Sequence, residues 1–267
     1  MSSAEDSPLF VTALAKGLSV LTAFGPARPA MNMLEIAGAT GLNKSTVQRS
    51  LFTLMALGYV ARETGSRRYR LTVKSLEVGT AYLQTAELVE RANPYLQQLN
   101  RQTGEASNLL EPWDTDMVYT ARFTSHREMP FLVPVGQRLP MYCTASGRAF
   151  LSALPVEAAA DIVNRSNRVT HTVHTLTDVG VIMERLKQAR SDGFALALEE
   201  TYVGDIALGA PIVNADGQPL GAINISVPFS RWRPEDAVRE LAPHLVDTAR
   251  AISSVAKGLR PLITTLD

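Results

Sequence analysis

The chain has 267 residues, enough for two ordinary domains, and aliphatic and aromatic side chains make up 46% of it. This composition excludes a disordered chain. The sequence contains no run of eighteen apolar residues and no secretion signal pattern, so we expect a soluble, cytoplasmic protein with no membrane partner. The single cysteine, Cys143, can neither close an internal disulfide nor bind zinc alone.

The formal net charge of zero hides an uneven distribution. Residues 1–80 contain nine Lys and Arg against five Asp and Glu, and the remaining residues contain 17 against 21. A basic segment joined to an acidic one is typical of a polyanion-binding domain fused to a domain with another task.

The first 73 residues predict a winged helix-turn-helix, behind a polar, flexible arm of residues 1–8. Apolar residues recur at helical spacing in residues 9–24, 33–37 and 44–57. Residues 59–62 and 68–71 read as two strands around a turn. The order helix, helix, turn, helix, hairpin assigns residues 9–73 to this domain, with residues 44–57 as the recognition helix.

The rest of the chain predicts a linker and an α+β domain. A helix over residues 76–91 forms the linker, residues 74–93, and Asn93-Pro94 is expected to begin the next helix. Strands are expected at 107–110, 117–123, 131–135, 194–198, 206–213 and 220–227, and helices at 145–154, 157–164, 178–191 and 234–257. The second domain is thus expected to span residues 94–260, with a tail at 261–267.

A small residue at the helix crossing and a glycine in the turn are what a helix-turn-helix needs. Ala37 and Gly41 meet this need, four residues apart. The side chains expected to face the core are Leu34, Ile36, Val47 and Leu51.

The opposite face of the recognition helix predicts contact with DNA, through Lys44, Ser45, Thr46, Gln48 and Arg49. Gln and Arg can bond base edges in pairs, whereas Lys, Ser and Thr suit phosphates. Arg67 and Arg68 at the hairpin tip are expected beside the backbone or the minor groove, and Arg28 is a further candidate. Each feature alone fits an ordinary solvated helix, but their combination favours DNA binding.

These segments resemble the IclR family of bacterial transcriptional regulators over nearly the whole chain. The resemblance rests on LEIA, GLNKSTVQR, LGYV and YRLT in the first domain, then on LPMYCTASGRA, GFA, EE, API and AINISVP in the second. It implies a GAF-like effector-binding domain, a small organic acid as effector, operator DNA and a homodimer or dimer of dimers. The segments around Arg122, 138–140 and 175–178 resemble the branch that regulates aromatic-acid catabolism.

Polar side chains on one strand predict where the effector binds. Asn224 and Ser226 alternate with Ile223 and Ile225, so they share one face of the strand. If buried, they need hydrogen-bond partners, so this face is either solvated or lines a pocket. By resemblance both correspond to pocket residues, which favours the pocket.

The remaining candidates surround this strand. The segment 143–147 enters a helix, and we hypothesise that a ligand carboxylate binds the amides of Ala145 and Ser146, although Ser146 can instead be only an N-cap. Phe131 and Leu139 are expected as apolar walls. Ala207 stands where many relatives have a cysteine, and Asp205 either binds a ligand hydroxyl or sits in a turn.

The alternative function is an enzyme acting on a small carboxylate, with the first domain used only for docking. It needs a nucleophile and a base, and nothing in the sequence orients Cys143 towards a histidine. His171 and His174 lack further ligands for a metal nearby. The sequence therefore predicts a ligand-responsive regulator with no catalytic residue, metal or cofactor.

Overall fold

The computed structural model describes residues 4–125, 127 and 133–261. The chain divides into two compact units, with the boundary between Tyr82 and Leu83. No helix in the described ranges is long and apolar enough to cross a membrane. Phe131 and most of the predicted tail lie outside the described residues.

The first unit confirms the predicted order of elements. They are α1 (Thr12–Thr22), α2 (Met33–Thr40), α3 (Lys44–Ala56), β1 (Val60–Arg62) and β2 (Tyr69–Leu71). The two strands pair antiparallel, with Ala61 opposite Arg70. Tyr69 also exchanges both backbone hydrogen bonds with Met31, at 2.7 and 3.0 Å, which fixes the base of the wing to the segment before α2.

Local capping explains where α2 and α3 begin and end. The Asn32 side chain accepts from the backbone of Glu35, whose carboxylate accepts from the Asn32 amide in return, so a capping box starts α2. Gly41 ends α2 in the left-handed conformation, with φ of 69°. Two residues later, Asn43 caps α3 by accepting from the Thr46 amide.

Three of the four predicted core residues are buried, and one is not. Ile36, Val47 and Leu51 lie in the core of this unit together with Val20. Leu34 was expected there too, but 69% of its surface is exposed. It lies two residues before Ile36, so a helix that buries Ile36 turns Leu34 towards solvent.

The predicted linker helix is wrong in its extent. It is two helices, α4 (Leu76–Thr85) and α5 (Glu87–Thr103), and Pro94 lies inside α5 instead of starting a helix. Proline removes one backbone hydrogen bond, but it sits on the exposed side of α5. Burial of the other side, through residues such as Leu88 and Leu96, outweighs that loss.

Six strands of the second unit form one antiparallel sheet in the order β5-β4-β3-β8-β7-β6, counting the described residues. They are β3 (Ala106–Trp113), β4 (Asp116–Phe123), β5 (Arg138–Pro140), β6 (Ala195–Leu198), β7 (Asp205–Val213) and β8 (Pro219–Pro228). The predicted strand at 131–135 is wrong where it can be checked, because residues 133–135 are not in a strand. Gly136, with φ of 89°, turns the chain there, and the edge strand is β5.

Helices cover both faces of this sheet: α6 (Ala145–Ser152), α7 (Val156–Arg165), α8 (Val179–Asp192) and α9 (Pro234–Val255). Apolar side chains such as Leu208, Ile223 and Ile225 pack with α5 and α9 on one face. The other face packs against α6, α7 and α8. All eight residues of α6 are buried. This second unit is the predicted α+β domain.

Candidate functional site

A cavity lies between the sheet and the first turn of α6. The space amounts to about 540 Å³ when its opening to solvent is included, and its enclosed part is about 30 Å³. The enclosed cavity is therefore narrow. Its lining consists of Ala106, Asn108, Tyr119, Arg122, Val133, Leu139, Thr144, Ala145, Ser146, Ala197, Glu200, Thr201, Tyr202, Asp205, Ala207, Asn224 and Ser226.

A row of paired residues crosses four strands on the cavity side of the sheet. Arg122 on β4 pairs with Asn108 on β3, Asn108 pairs with Asn224 on β8, and Asn224 pairs with Gly209 on β7. The Asn108 Nδ2 donates to Asn224 Oδ1 at 2.8 Å. Only 2% of Asn108 and 5% of Asn224 is exposed. The predicted polar face of β8 is therefore buried and not solvated.

Two buried polar atoms in this row have no hydrogen-bond partner among the described residues. They are Asn108 Oδ1 and Arg122 Nε. The Arg122 Nη1 is occupied, because it donates to the Val133 carbonyl at 2.8 Å. A buried polar atom without a partner is costly, and it calls for a ligand or a water molecule as its partner.

Asp205 lies at the start of β7 and accepts from Ser226 Oγ at 2.5 Å. Burial raises the pKa of Asp205 to about 6, although the hydrogen bond from Ser226 lowers it. The carboxyl group therefore changes its charge near neutral pH, beside a hydroxyl that can turn towards a ligand.

Two tyrosines complete the polar lining. Burial raises the pKa of Tyr119, so its phenol stays protonated, and it is hydrogen-bonded to Asn224. Burial also raises the pKa of Tyr202, whose hydroxyl accepts from Gln137 Nε2 at 3.1 Å. Both phenols are neutral hydrogen-bonding groups at physiological pH.

The N-terminus of α6 has its cap at Thr144 and not at Ser146. The Thr144 Oγ1 accepts from the Gly147 amide at 3.2 Å, so the alternative reading of Ser146 as the N-cap is wrong. The amides of Ala145 and Ser146 belong to the first turn, where a helix offers no internal acceptor. Since both residues line the cavity, the positive end of the helix dipole lies at its wall.

A buried ion pair supports the cavity from behind. Arg148 of α6 binds Glu200 through two parallel hydrogen bonds of 2.5 and 2.6 Å, and its Nε donates to the Tyr142 carbonyl. Glu200 also accepts from the Leu176 amide at 3.1 Å. This pair holds the segment that follows β6, which carries Thr201 and Tyr202, against α6.

Seven of the eight predicted effector residues line this one cavity: Leu139, Ala145, Ser146, Asp205, Ala207, Asn224 and Ser226. The eighth, Phe131, lies outside the described residues. The sequence reading missed Asn108, Tyr119 and Tyr202, and it noted Arg122 only through the resemblance. Asn108 could have been found, because it too is a polar residue within a predicted apolar strand.

Cys143 is fully buried, and burial raises its pKa to about 11. The thiol is therefore protonated at neutral pH and a poor nucleophile. His171 stacks on Tyr142, and the Nε2 of His174 lies 3.5 Å from Glu199. The described residues hold no cluster of three or more metal-ligating side chains.

The outward face of α3 in the first unit presents Lys44, Ser45, Gln48 and Arg49 to solvent. Thr46 was expected with them but is only 9% exposed. It is next to Val47 at the edge of the buried face, and its amide is taken by the Asn43 cap. The Thr46 side chain is therefore not presented for the expected phosphate contact in this conformation.

The hairpin arginines differ in what they can contact. Arg68 donates to the Ala30 carbonyl at 2.8 Å and lies 3.1 Å from the Glu35 carboxylate, so it holds the wing to α2. Arg67 is exposed and makes no hydrogen bond or ion pair within the described part of the chain. Arg28 is exposed in a tight turn closed by Gly25. Arg67 and Arg28 are thus free to meet phosphates.

Comparison with known proteins identifies both units. The model for the IclR helix-turn-helix domain matches residues 13–64. The model for the C-terminal domain of bacterial transcriptional regulators of the IclR type matches residues 80–254.

Two curated relatives match along most of their length. The Pca regulon regulatory protein of Pseudomonas putida is 32% identical over 91% of this chain and 83% of its own. The p-hydroxybenzoate hydroxylase transcriptional activator of Acinetobacter baylyi is 30% identical, covering 92% of each chain.

Two solved structures extend the comparison. A transcriptional regulator of Rhodococcus sp. RHA1 has a TM-score of 0.78 at 33% identity, over 92% of this chain and 98% of that one. The inducer-binding domain of a double mutant of PobR from Acinetobacter, in complex with 3-hydroxybenzoic acid, has a TM-score of 0.57 at 25% identity. It covers 62% of this chain and 97% of that one.

Replacement of Asp205 by Asn tests the charge state of the cavity. The pKa of Asp205 is higher in the folded state than its ordinary value of 3.8. The stabilisation from the protonated form is therefore complete below the unfolded pKa and is lost as the pH rises through about 6. We expect Asp205→Asn to be more stable than the native chain at pH 7.5, by about 1–2 kcal/mol after solvent screening.

Urea unfolding at a series of pH values from 4.5 to 8 measures this difference. It should shrink as the pH falls through 6. Asp216→Asn, an exposed turn residue, removes the same charge and should show no such trend. A difference for Asp205→Asn that is independent of pH would contradict the raised pKa.

Proposed function

The chain belongs to the IclR family of bacterial transcriptional regulators, and we propose that its second domain binds a hydroxylated aromatic carboxylate in the cavity beside α6. The first domain is the family's helix-turn-helix, and the second is its effector-binding domain. The proposal concerns which residues bind the effector, what the effector is, and which residues meet DNA.

The observation that carries this proposal is the buried polar row from Arg122 to Asn224. Asn108 Oδ1 and Arg122 Nε, which find no partner among the described residues, belong to residues that line the cavity, as do most residues of the predicted site. A purely structural polar face ordinarily pairs its buried donors and acceptors with one another. A ligand with both accepting and donating oxygens satisfies both.

The carboxylate is recognised by groups of positive character. The amides of Ala145 and Ser146 begin a helix, and Arg122 brings a full charge to the same cavity. The neutral phenols of Tyr119 and Tyr202 can donate to an anion without repelling it. No group in this set needs a metal to bind an acid.

The hydroxyl is recognised by Asp205 and Ser226. An ionised Asp205 can only accept, so it favours a ligand that donates. The small side chains of Ala106, Ala197 and Ala207 line the cavity, and they suit the face of a flat ring once the other lining side chains have moved. Two comparisons point in the same direction: one relative is the p-hydroxybenzoate hydroxylase transcriptional activator, and the inducer-binding domain of PobR was solved with 3-hydroxybenzoic acid.

Operator recognition is assigned to α3 and the wing. Gln48 and Arg49 contact base edges in the major groove, while Lys44, Ser45, Arg67 and Arg28 contact phosphates. Arg68 acts indirectly, since it fixes the wing to α2. A two-fold operator follows if two copies bind together, with half-sites about 34 Å apart.

Self-association is supported by two apolar surfaces. On α1, Leu14 and Leu18 lie one turn apart and are 62% and 51% exposed. On α4, ten residues form a helix in which none is buried. A helix of that length with no buried side chain gains little stability by itself in water, so we propose that a second copy of the chain packs against these apolar residues.

A panel of small acids tests the effector. Hydroxybenzoates should raise the melting temperature of the purified chain more than benzoate, 4-hydroxybenzyl alcohol or pyruvate does, because only they offer both groups. At a concentration 100 times Kd the stabilisation is about 2.7 kcal/mol. Asn224→Leu should abolish the shift, and Arg122→Gln should weaken binding about tenfold or more.

Arg101→Gln, an exposed change of the same kind on α5, is the matched control and should bind normally. A full response in Asn224→Leu shows that the effector binds elsewhere. A response to pyruvate alone shows that the effector is not aromatic.

Arg49→Ala tests the assignment of α3. Loss of a bidentate base contact should reduce affinity for the chain's own upstream DNA about tenfold or more and relax base preference at one position. Gel shifts over a range of salt concentrations measure this, with Arg101→Ala as the control. Effector-induced stabilisation should be unchanged. If Arg49→Ala binds as the native chain does, the base-reading role is wrong.

The double substitution Leu14→Glu, Leu18→Glu tests self-association. Charges placed on the apolar stripe should lower the mass of the assembly in sedimentation equilibrium, because they cannot be buried without cost. Val173→Glu, at a residue that is 91% exposed in the second unit, should leave the mass unchanged. An unchanged mass for the double variant means that α1 is not the interface.

A further inference from the structure

A large apolar side chain stands on the outward face of α3. Phe52 is 75% exposed, more than its α3 neighbour Met55, and it lies outside the core of the first unit. Exposure of a phenyl ring is unfavourable, and the fold gains nothing from it. Neither capping nor packing explains why a phenylalanine occupies this position.

Helix geometry places Phe52 among the proposed base-reading residues. Residues of an α-helix follow each other at about 100°, so positions three, four and seven apart share one face. Phe52 is three residues after Arg49, four after Gln48 and seven after Ser45. The buried residues Val47, Leu51 and Leu54 define the opposite side.

The two halves of this face differ in polarity. The first turns carry Lys44, Ser45, Gln48 and Arg49, whereas the end of the helix carries Phe52, Met55 and Ala56, with the exposed Thr53 beside Phe52. Base edges in the major groove offer hydrogen-bonding groups and one apolar group, the 5-methyl of thymine. An apolar side chain on a helix that faces the major groove therefore favours thymine over the other three bases.

We propose that Phe52 is a specificity-determining residue that reads thymine through its 5-methyl group. This inference rests on the proposed use of α3 as the base-reading helix. It predicts that each half-site contains a thymine close to the base that Arg49 reads. The apolar end of α3 contacts this thymine.

The charge around Phe52 favours DNA over a protein partner. Helix α3 contains no acidic residue, and Lys44 and Arg49 are both exposed on it. A face that combines two cations with one phenyl ring suits a polyanion whose interior offers methyl groups. A second copy of the same chain would bring the same two cations and repel it.

The experiment removes only the methyl group. A random double-stranded DNA library is first selected with the native full-length chain and, in parallel, with Phe52→Ala. In the best native site, each thymine is then replaced by deoxyuridine, which keeps every hydrogen bond and lacks the 5-methyl. Affinities of both proteins are measured for each substituted duplex.

One deoxyuridine should weaken native binding about fourfold, the effect of losing burial of one methyl-sized group. The same substitution should not affect Phe52→Ala, and the pool selected by that variant should lose the thymine preference at this position. Val173→Ala should behave as the native chain does. Since Phe52 is exposed, the melting temperature of Phe52→Ala should be unchanged.

Three results overturn the inference. One is native binding that no deoxyuridine weakens; another is a deoxyuridine effect that persists in Phe52→Ala. The third is a Phe52→Ala variant that loses self-association but keeps the thymine preference, which assigns the ring to a protein interface. Failure of Arg49→Ala to alter binding overturns the role of α3 itself, so the two failures are distinguishable.

Discussion

The close approach of α6 to β7 is the constraint on which the cavity beside α6 depends. A Cβ atom at Gly209 would lie 2.4 Å from the Ala145 carbonyl oxygen and 2.8 Å from the Ser146 nitrogen, so only glycine fits. At Gly147 a Cβ atom would meet the Met141 backbone at 2.2 Å. These two glycines let a helix with every residue buried lie flat on a sheet. Its positive end then comes to the end of the polar row formed by Arg122, Asn108 and Asn224, where an anion can bind.

A polar row buried this deeply needs a rigid frame and a partner. The frame is the Arg148–Glu200 pair, whose guanidinium and carboxylate satisfy each other and the neighbouring backbone. Breaking one side of such a pair leaves a buried charge, which is far more costly than its net contribution when intact. Asn108 Oδ1 and Arg122 Nε have no such partner among the residues that the structure describes. The polar atoms of the cavity thus lower the stability of this unit, and the adjacent Arg148–Glu200 pair stabilises it, as is common at binding sites.

Local chemistry made much of the fold predictable, and tertiary register made the rest unpredictable. Gly41, Gly193 and Pro234 mark helix ends that the structure confirms, and strand alternation put Asn224 and Ser226 on one face. The position of Arg122 beside Asn108 could not be predicted in this way. A bulge between Leu109 and Leu110 shifts β4 against β3, and the pattern within one strand does not reveal a shift between two strands. Burial of one face of α5 outweighed the tendency of Pro94 to interrupt a helix. Thr46 lies at the edge of the buried face of α3, where a periodic pattern does not distinguish a buried residue from an exposed one.

The narrowness of the cavity is what can turn binding into a signal. A ligand shifts an equilibrium only by its differential affinity for two arrangements of the protein. Because the enclosed part of the cavity is only about 30 Å³, a ring-sized ligand cannot enter unless the lining side chains move. The Tyr202–Gln137 hydrogen bond joins two segments, one of which lines the cavity. The free energy of opening lowers the affinity for the effector, and the same free energy separates the two arrangements. A roomier cavity would bind its ligand more tightly, but ligand binding would shift the equilibrium between the two arrangements less.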